Sequence, residues 1–550
     1  MFVTWLLWGG FVTTGCLISE PSKVGGPIDP TEPGTDTGVV EAIDADRDGF
    51  PRSVDCDDAD PLVYPGAVDA CDGVDNDCST VVDDGDGVAS ITRADGSTLF
   101  PTVDEAIAAG VQFAVQVDLC AGPATVTPIV LNGGDKLTIA SVHGRDDTVL
   151  TADKGQTFAS LSGEAQLSLN NVTVTGSVQR ALVLDDTASL TLYDAAVSSN
   201  PGGALLVADR AEGVTVLVSG SSLDDNVVPD GIGGAIRAEG RAFDITIQSS
   251  DKFDSRLASN EAEQGGAIAL INRPGARLPD RKVTILADTA IEGNTAALSG
   301  GAIYSVLGTI TLEGVTMDGN ATAGMGGALD LVNSVVTAAS TSLSGNQAGI
   351  GGAVSLDVFG FSLFSATNDV SIVDNVATET GGGLSGSGFV SNVFVARNEA
   401  PLGGGLYVPA GTFITLEEAT FDQNTGLQGG GIFLDADTDV ELIDVGLSLN
   451  EAVTERYSST TTTVPLPLPD NVEVEFVGLG GAVFMTDGSV LEARSSDFGI
   501  DESDIGGVDN DNRPGDIFVR ALGSDSNHEQ LALDMDVVCD DGGCLLVQTP

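Results

Sequence analysis

Four consecutive segments of the chain repeat one pattern: LASNEAEQGGAIAL (257–270), IEGNTAALSGGAIYS (291–305), MDGNATAGMGGALDL (317–331) and LSGNQAGIGGAVSL (343–356). In each, an apolar residue stands three places before an asparagine, and a Gly-Gly pair precedes a small and an aliphatic residue. The asparagine recurs at Asn200, Asn226, Asn260, Asn294, Asn320, Asn346, Asn375, Asn398, Asn424 and Asn450. Five of the nine intervals are 26 residues, and the position three before every asparagine is apolar. A repeat of this length predicts a solenoid.

The residue types between the asparagines select the kind of solenoid. Short runs of Val, Ile, Thr and Leu, such as KVTILAD (282–288) and GTITLEG (308–314), predict strands of about four to six residues. No segment has the periodicity of a long helix, which excludes helical repeat arrays. The sequence therefore predicts an all-β fold, a right-handed parallel β-helix with three short strands in each coil. About fifteen coils would make a rod ~70 Å long.

The two recurring motifs have architectural explanations. We expect each asparagine to occupy a turn with positive φ and its amide to hydrogen-bond to the asparagine of the next coil. Gly-Gly gives the backbone the freedom to turn into the following strand. Both motifs are therefore interpreted as parts of the fold rather than as catalytic or phosphate-binding loops.

The repeat also has boundaries. We expect the β-helix over residues 90–520, with an amino-terminal cap near 100–120 that includes a short helix, and a carboxyl-terminal cap at 521–550. Caps are needed because an open terminal coil is an exposed sheet edge. Residues 451–477, first Thr-rich and then Pro-rich, interrupt the repeat and predict an excursion, either a ligand-contacting loop or simply a mobile one.

The repeats resemble the GGA-[ILV] and F-x-x-N repeats of chlamydial polymorphic outer-membrane proteins, and pectate-lyase-like β-helices more generally. FDQN at 421–424 keeps the phenylalanine, and an aliphatic residue replaces it in the other copies. The resemblance implies a protein of the cell outer membrane surface or a secreted protein. Its role would be structural or adhesive, and the alternative is a polysaccharide lyase or hydrolase of the pectate-lyase-like fold.

Charge limits the partners of this protein. The chain of 550 residues carries 81 acidic and 22 basic side chains, for a net charge of −59. Such a polyanion repels phosphates, which excludes nucleic acid as a direct partner. A polysaccharide or a cell-surface protein remains as a partner class, and we expect a monomer.

The first residues resemble an export signal. MFVTWLLWGGFVTTG (1–15) is apolar but too short for a membrane-spanning helix, and TTGC at 13–16 resembles the lipobox of bacterial lipoproteins. The resemblance makes 1–16 the signal and Cys16 the lipidated residue, so the membrane would be reached only through this anchor. An ordinary signal peptide or a misassigned start codon are the alternatives. Residues 17–43, rich in Pro, Gly, Thr and acid, predict a flexible linker.

Cysteine usage agrees with export. The six cysteines other than Cys16 are an even number, which fits three disulfides in an exported chain. We expect one disulfide within CDDGGC at the carboxyl end and two among the first four cysteines, in a pairing left open. The six candidates are Cys56, Cys71, Cys78, Cys120, Cys539 and Cys544.

Residues 44–86 contain fourteen aspartates, a crowding that is costly unless a cation neutralises it. Asp44, Asp46, Asp48, Gly49 and Asp55 match the calcium-loop spacing D-x-D-x-D-G-x5-E with Asp in the last place, and the Phe50 carbonyl is an expected further ligand. A second set repeats the offsets with Thr80 at the glycine position, and consists of Asp75, Asp77, Ser79, Asp83 and Asp86. The sequence predicts structural Ca²⁺ here, and a solvated acidic spacer is the alternative.

Part of this segment resembles a known motif. DCDDAD (55–60), YPGA (64–67) and CDGVDNDC (71–78) are similar to the MopE-type metal-binding motif of secreted bacterial proteins. The resemblance implies calcium or another divalent ion in a structural role. Ser79-Thr80 replaces the Asp-Gly that usually follows, so the second loop departs from the motif.

Catalytic candidates are few. Arg180, Arg237 and Arg397 lie in the repeats without a lyase-like motif around them, and the two histidines, His143 and His528, lack the partners of hydrolase or metal sites. The sequence therefore predicts an exported, lipid-anchored surface protein that is not an enzyme.

Overall fold

The computed structural model describes residues 44–83, 85, 87–94, 96–271, 281–357, 360, 362–453, 481–486 and 489–493, and the backbone of Arg494 and of six short strands beyond residue 454. The predicted signal (1–16, with Cys16) and linker (17–43) lie outside these residues. The described part is an all-β parallel β-helix with almost no α-helix, which confirms the predicted fold class. It has about twelve turns rather than fifteen.

The first coil is entered through a hairpin and a helix. Strand Ala89–Arg93 pairs antiparallel with Gly96–Phe100 and with the first coil strand, Gln116–Leu119. The α-helix Val103–Phe113 begins at the N-cap Thr102, whose side chain accepts a hydrogen bond from the Glu105 N–H. The helix buries Val103, Ala106 and Ile107 and packs against the first strands, so it lies where a cap over the open coil is needed.

A central coil carries four short strands instead of the predicted three, and each stacks in parallel on its counterpart in the next coil. Ladder 1 follows the Gly-Gly pair, ladder 2 follows ladder 1, ladder 3 precedes the asparagine and ladder 4 follows it. Ladder 1 consists of Ile129–Leu131, Ala159–Leu161, Leu182–Leu184, Leu205–Val207, Ile236–Ala238, Ile268–Ile271, Ile303–Val306, Leu329–Val332, Val354–Leu356, Leu384–Ser385, Leu406–Val408, Ile432–Leu434, Val483–Met485 and Ile517–Val519. Ladder 2 consists of Gln116–Leu119, Lys136–Ala140, Gln166–Asn170, Ser189–Tyr193, Glu212–Ser219, Ala242–Gln248, Arg281–Ile285, Thr309–Glu313, Val335–Ala339, Phe413–Glu417, Asp439–Ile443, Val490–Arg494 and Gln530–Leu533.

The other two ladders flank the asparagines. Ladder 3 consists of Gly122–Val126, Thr148–Ala152, Thr173–Thr175, Ala196–Val197, Arg256–Ala258, Thr289–Glu292, Val315–Asp318, Ser342–Ser344, Thr420–Asp422 and Gly446–Ser448. Ladder 4 consists of Val227–Ile232, Glu261–Gln264, Thr295–Ser299, Ala321–Thr322, Gln347–Ile350, Val376–Thr380, Thr425–Gly426 and Glu451–Ala452. Two long strands, Ser362–Val373 and Gly388–Ala396, run through ladders 2 and 3. A 3-10 turn, Asp153–Gly155, follows the ladder 3 strand Thr148–Ala152.

Among the strands described beyond residue 454 there are three antiparallel pairings, one of which joins Gly543–Val547 to the ladder 1 strand Ile517–Val519. Glu455–Ser458 pairs with Glu473–Phe476, within the predicted excursion. Asp536–Asp540 pairs with Gly543–Val547, and this register sets the backbone of Cys539 opposite that of Cys544. Their side chains lie outside the described residues, as does His528, so the third predicted disulfide stays a prediction.

The ten asparagines form a continuous buried ladder. Each is fully buried, and the side-chain amide of each of the first nine donates to the Oδ1 of the next, as in Asn320 Nδ2 to Asn346 Oδ1 at 3.0 Å. The same oxygen accepts the backbone N–H of Asn320. The predicted hydrogen-bonded ladder is therefore present.

The predicted positive φ falls one residue earlier than expected. The residue before each asparagine takes the left-handed conformation, for example Gly319 at φ 61° and Asp374 at φ 58°. The asparagine itself is not among the residues with positive φ. Its side chain serves the ladder, and the turn is made by a neighbour that faces solvent and varies in type.

The two glycines of each Gly-Gly pair are needed for different reasons. The first adopts positive φ, as Gly326 does at 69°. The second is overlaid by the next coil, because a Cβ on Gly327 would lie 2.0 Å from the Gly352 carbonyl oxygen. The small and aliphatic residues that follow, such as Ala328 and Leu329, are fully buried and fill the narrow core.

One carboxyl group is buried on the outer side of ladder 1. Asp330 is 2% exposed and hydrogen-bonds with the side chains of Ser299 and Ser355. Desolvation raises the pKa of Asp330 to about 6, and the charge of Asp357 adds to this effect.

This pKa makes stability depend on pH. Folded Asp330 holds its proton up to pH about 6, whereas the unfolded carboxyl loses it near ~3.9, so stability falls as pH rises through this interval. We expect Asp330→Asn to raise the free energy of unfolding by about 2 kcal/mol at neutral pH. The gain should vanish below about pH 4. Thermal unfolding between pH 4 and 8 measures this difference. Asp439→Asn, at an exposed position of ladder 2, is the control. A gain that is independent of pH would contradict the assignment.

Candidate metal centre

The first predicted calcium loop folds around its own aspartates. Asp44 accepts hydrogen bonds from the backbone N–H groups of Arg47 (2.7 Å) and Gly49 (3.2 Å). Asp46 accepts from the Asp48 N–H, and Asp48 accepts from the Phe50 N–H. Gly49 has φ 104°, a conformation that side chains rarely adopt, which explains glycine at the tight turn.

These bonds use one oxygen of several carboxylates and leave the other without a partner. The Oδ2 atoms of Asp46, Asp48 and Asp55 are buried and make no hydrogen bond. Desolvation and the charges of Asp48, Asp55 and Asp44 raise the pKa of Asp46. Buried carboxylate oxygens are costly unless something pairs with them, and a cation at their centre would do so.

The carboxylates converge as two groups that share Asp46. Oxygens of Asp44, Asp46 and Asp48 lie within 4.8 Å of one another, and so do those of Asp46, Asp55 and Asp58. Asp58, which also accepts the Ala45 N–H, was not among the predicted ligands, although DCDDAD contains it. The donors are all hard oxygens, the set that Ca²⁺ prefers in irregular loops.

Phe50 has a second role in this loop. Its ring stacks on Tyr64 of the YPGA turn, with the ring centroids 5.1 Å apart. The stacking holds the first loop against the turn that leads into the second one.

The second predicted loop has the same backbone turn as the first, but its carboxylates do not converge on one point. Asp75 accepts from the N–H groups of Ser79 (2.9 Å) and Thr80 (2.8 Å), and Asp77 accepts from Ser79. Thr80 takes φ 81° at the position where the first loop has glycine. Among the described residues, Asp75 and Asp77 belong to no group of three converging ligands.

Asp83 is turned away from the second loop. Its carboxylate accepts the backbone N–H groups of Asp72 and Gly73, both at 3.0 Å, and lies 2.8 Å from Nε2 of His143 in the β-helix. These contacts direct the Asp83 carboxylate toward the β-helix, and its predicted role as a metal ligand stays a prediction. Asp86 lies outside the described residues.

Two disulfides hold this module. Cys56 bonds to Cys78 and Cys71 to Cys120, so the first four cysteines pair among themselves, as predicted. Cys56–Cys78 joins the two loops, and Cys71–Cys120 joins the module to the end of the first ladder 2 strand. The sulfurs of Cys56 and Cys78 lie beside Asp55 but are bonded to each other, so they offer no thiolate to a metal.

The arginines of the repeats have structural partners. Arg180 donates to the backbone carbonyls of Leu205 (3.3 Å) and Gly233 (2.6 Å), and burial lowers its pKa to about 10. Arg237 pairs with Glu239, and Arg397 forms a two-pronged contact with Asp374 at 2.8 Å. All three guanidinium groups are thus engaged in contacts within the β-helix.

Comparison with known families gives one match in the acidic module and one in the β-helix. The fold defines the class, a parallel β-solenoid with a disulfide-bonded acidic module. Residues 55–84 match the family model described as "Putative metal-binding motif", of the MopE type. Residues 288–306 match the repeat of the Chlamydia polymorphic membrane protein. The resemblances to the MopE-type motif and to the polymorphic membrane protein repeat are therefore confirmed.

The matches are local. They cover most of the acidic module, from residue 55 onward, and three strands of one coil, Thr289–Glu292, Thr295–Ser299 and Ile303–Val306. Neither matched family is described as an enzyme. No curated protein and no solved structure matches the chain significantly. Within the described residues, no helix is both long and apolar enough to cross a membrane.

Proposed function

We propose that this protein is a bacterial surface protein that displays a β-helix rod for contact with other cells, with polysaccharide or with a partner protein. The observation that carries this proposal is the polymorphic membrane protein repeat, which coincides with three strands of a regular coil. The central coils of the rod repeat this architecture, so the rod would be an extended scaffold for surface contacts. Cys16 would anchor the chain through lipid, and residues 17–43 would hold the rod away from the membrane.

We further propose that Ca²⁺ fixes the joint between linker and rod. The ligands would be Asp44, Asp46, Asp48, Asp55 and Asp58, because two converging groups of these carboxylates share Asp46. When bound, the ion would neutralise the three buried unpartnered oxygens. The module is joined by Cys71–Cys120 to the first coil, so order in the loop is transmitted to the rod.

One experiment tests display and calcium together. Intact cells are treated with trypsin, which cuts after Lys23 in the linker and after Arg47 and Arg52 in and beside the first loop. With Ca²⁺ we expect a released rod that begins at Val24, because the loaded loop resists cleavage. With EDTA we expect fragments that begin at Asp48 or Ser53, with unchanged β-content. Mass spectrometry of the released fragments identifies their first residue.

Matched variants make the result specific. Asp46→Asn keeps the acceptor for the Asp48 N–H but removes a ligand charge, so cleavage at Arg47 should occur even with Ca²⁺. Asp60→Asn, in the same module but outside both groups, should behave as wild type. Release only after cell lysis would refute surface display. Cleavage that Cu²⁺ but not Ca²⁺ suppresses would refute calcium.

A further inference from the structure

Two loops depart from the regular coil at the same corner of the rod. In most of the described coils one to three residues separate the ladder 2 strand from the ladder 3 strand, as Gly314 alone separates Thr309–Glu313 from Val315–Asp318. Seven residues fill this position at 141–147 and again at 249–255. The two insertions are four coils apart, about 19 Å along the rod. The architecture does not require them, since the other coils that the structure describes are built without them.

The second loop is held rigid by one serine. Ser250 Oγ donates to Oδ1 of the fully buried Asp194 at 2.6 Å and accepts the N–H groups of Lys252 (3.1 Å) and Phe253 (3.0 Å). The Ser250 N–H donates to the Phe253 carbonyl at 2.9 Å. Phe253 is therefore presented on a preorganised loop although its side chain is 42% exposed.

The two loops meet and form one wall. The Arg145 guanidinium lies 4.7 Å from the centre of the Phe253 ring and donates to the carbonyls of Ala195 and Gly220, both at 3.2 Å. Between this wall and the outer side of ladder 3 lies a cleft of about 550 Å³. Its floor consists mostly of small or hydroxyl-bearing side chains, Thr173, Ala196, Ser198 and Ser222, together with the apolar Val149.

The cleft is lined by both basic and acidic side chains. Arg256 donates to Asp224 at 2.8 Å, and both line the cleft. Asp146, Asp225 and Asp254 also line it, and their carboxylates make no ion pair with any described residue. The cleft thus offers donors and acceptors beside an exposed aromatic ring.

This inventory selects among ligand classes. The backbone groups of ladder 3 are already bonded between coils, so no peptide strand can be added there. The net charge of −59 and the three unpaired carboxylates disfavour an acidic ligand. A metal ion needs neither a cleft of this volume nor an aromatic ring beside it. An uncharged chain rich in hydroxyl groups fits the bonded backbone, the negative charge and the volume of the cleft, and its apolar ring faces can pack on Phe253.

We propose that this cleft binds a neutral glycan chain laid along ladder 3, with Phe253 packing against a sugar ring. The proposal deepens the proposed function and rests on it for its biological meaning. It assigns the surface contact of the rod to its amino-terminal third.

The full chain is tested on an array of neutral hexose and N-acetylhexosamine oligosaccharides, and the affinity for the best probe is then measured by calorimetry. Phe253→Ala should weaken binding about tenfold, because it removes the aromatic contact. Ser250→Ala should weaken it as well, because the loop loses its anchor. Phe394→Ala is the matched control, since Phe394 is 40% exposed on the same side of the rod several coils away. Its affinity should equal that of wild type.

Two results would overturn the glycan site: no neutral oligosaccharide retained by the wild type, or unchanged affinity in the folded Phe253→Ala variant. Retention of basic peptides alone, abolished by moderate salt, would also overturn it, because such binding needs only the carboxylates. Trypsin release from intact cells does not depend on this cleft. A failed array with successful release therefore refutes the glycan site and leaves surface display standing.

Discussion

Asn346→Ala is expected to lower the free energy of unfolding of the rod by about 3–5 kcal/mol. The substitution removes the acceptor of two buried donors, the side-chain amide and the backbone N–H of Asn320, both 3.0 Å from Asn346 Oδ1. It also removes the donor to the Met317 carbonyl, at 3.1 Å. Water cannot replace these partners, because each asparagine of the ladder is fully buried.

The loss of stability in Asn346→Ala should be confined to the coils near the substitution, and two measurements can detect it. Because each coil contacts mainly its neighbours, unfolding should begin in the coils beside Asn346. Hydrogen exchange should locate the opening there, and chemical denaturation should give its size. Asn368→Ala, at an exposed asparagine of the next coil's long strand, should change the stability little. Equal losses for both variants would show that the buried ladder contributes nothing specific.

Gly327→Ala is expected to destabilise the rod by about 3 kcal/mol, although only one methyl group is added. Its Cβ would lie 2.0 Å from the Gly352 carbonyl oxygen and 2.8 Å from the Gln347 nitrogen. Both obstacles are backbone atoms of the next coil, so they cannot move without breaking the bonds between coils. The strain has no flexible side chain to absorb it.

Gly319→Ala separates this effect from the cost of backbone conformation. Gly319 has φ 61°, and a Cβ there would meet no atom within 4 Å. The variant should therefore lose only about 1 kcal/mol, the cost of placing alanine in the left-handed region. Thermal unfolding of the two variants gives the comparison. A larger loss for Gly319→Ala would mean that φ, rather than the approach of the coils, makes glycine necessary.

The acidic module shows how far spacing alone predicts a site. The offsets of Asp44, Asp46 and Asp48 place their oxygens together because the ligands lie within one short turn. Asp58 was missed since it reaches the cluster from outside the spacing pattern. The contact of Asp83 with His143 could not be predicted from spacing, because the two residues are sixty positions apart and lie in different parts of the fold.

The periodic sequence alone determined the fold of this protein, because one spacing repeated along the chain requires every coil to place equivalent residues at equivalent points. The buried asparagines and the apolar residues before them follow from this. Only the tertiary structure decided the disulfide pairing, the residue that takes positive φ, and the cleft beside Phe253. Those features depend on which coils or loops lie next to one another, and irregular insertions such as 141–147 and 249–255 have no periodic signal that reports where they meet.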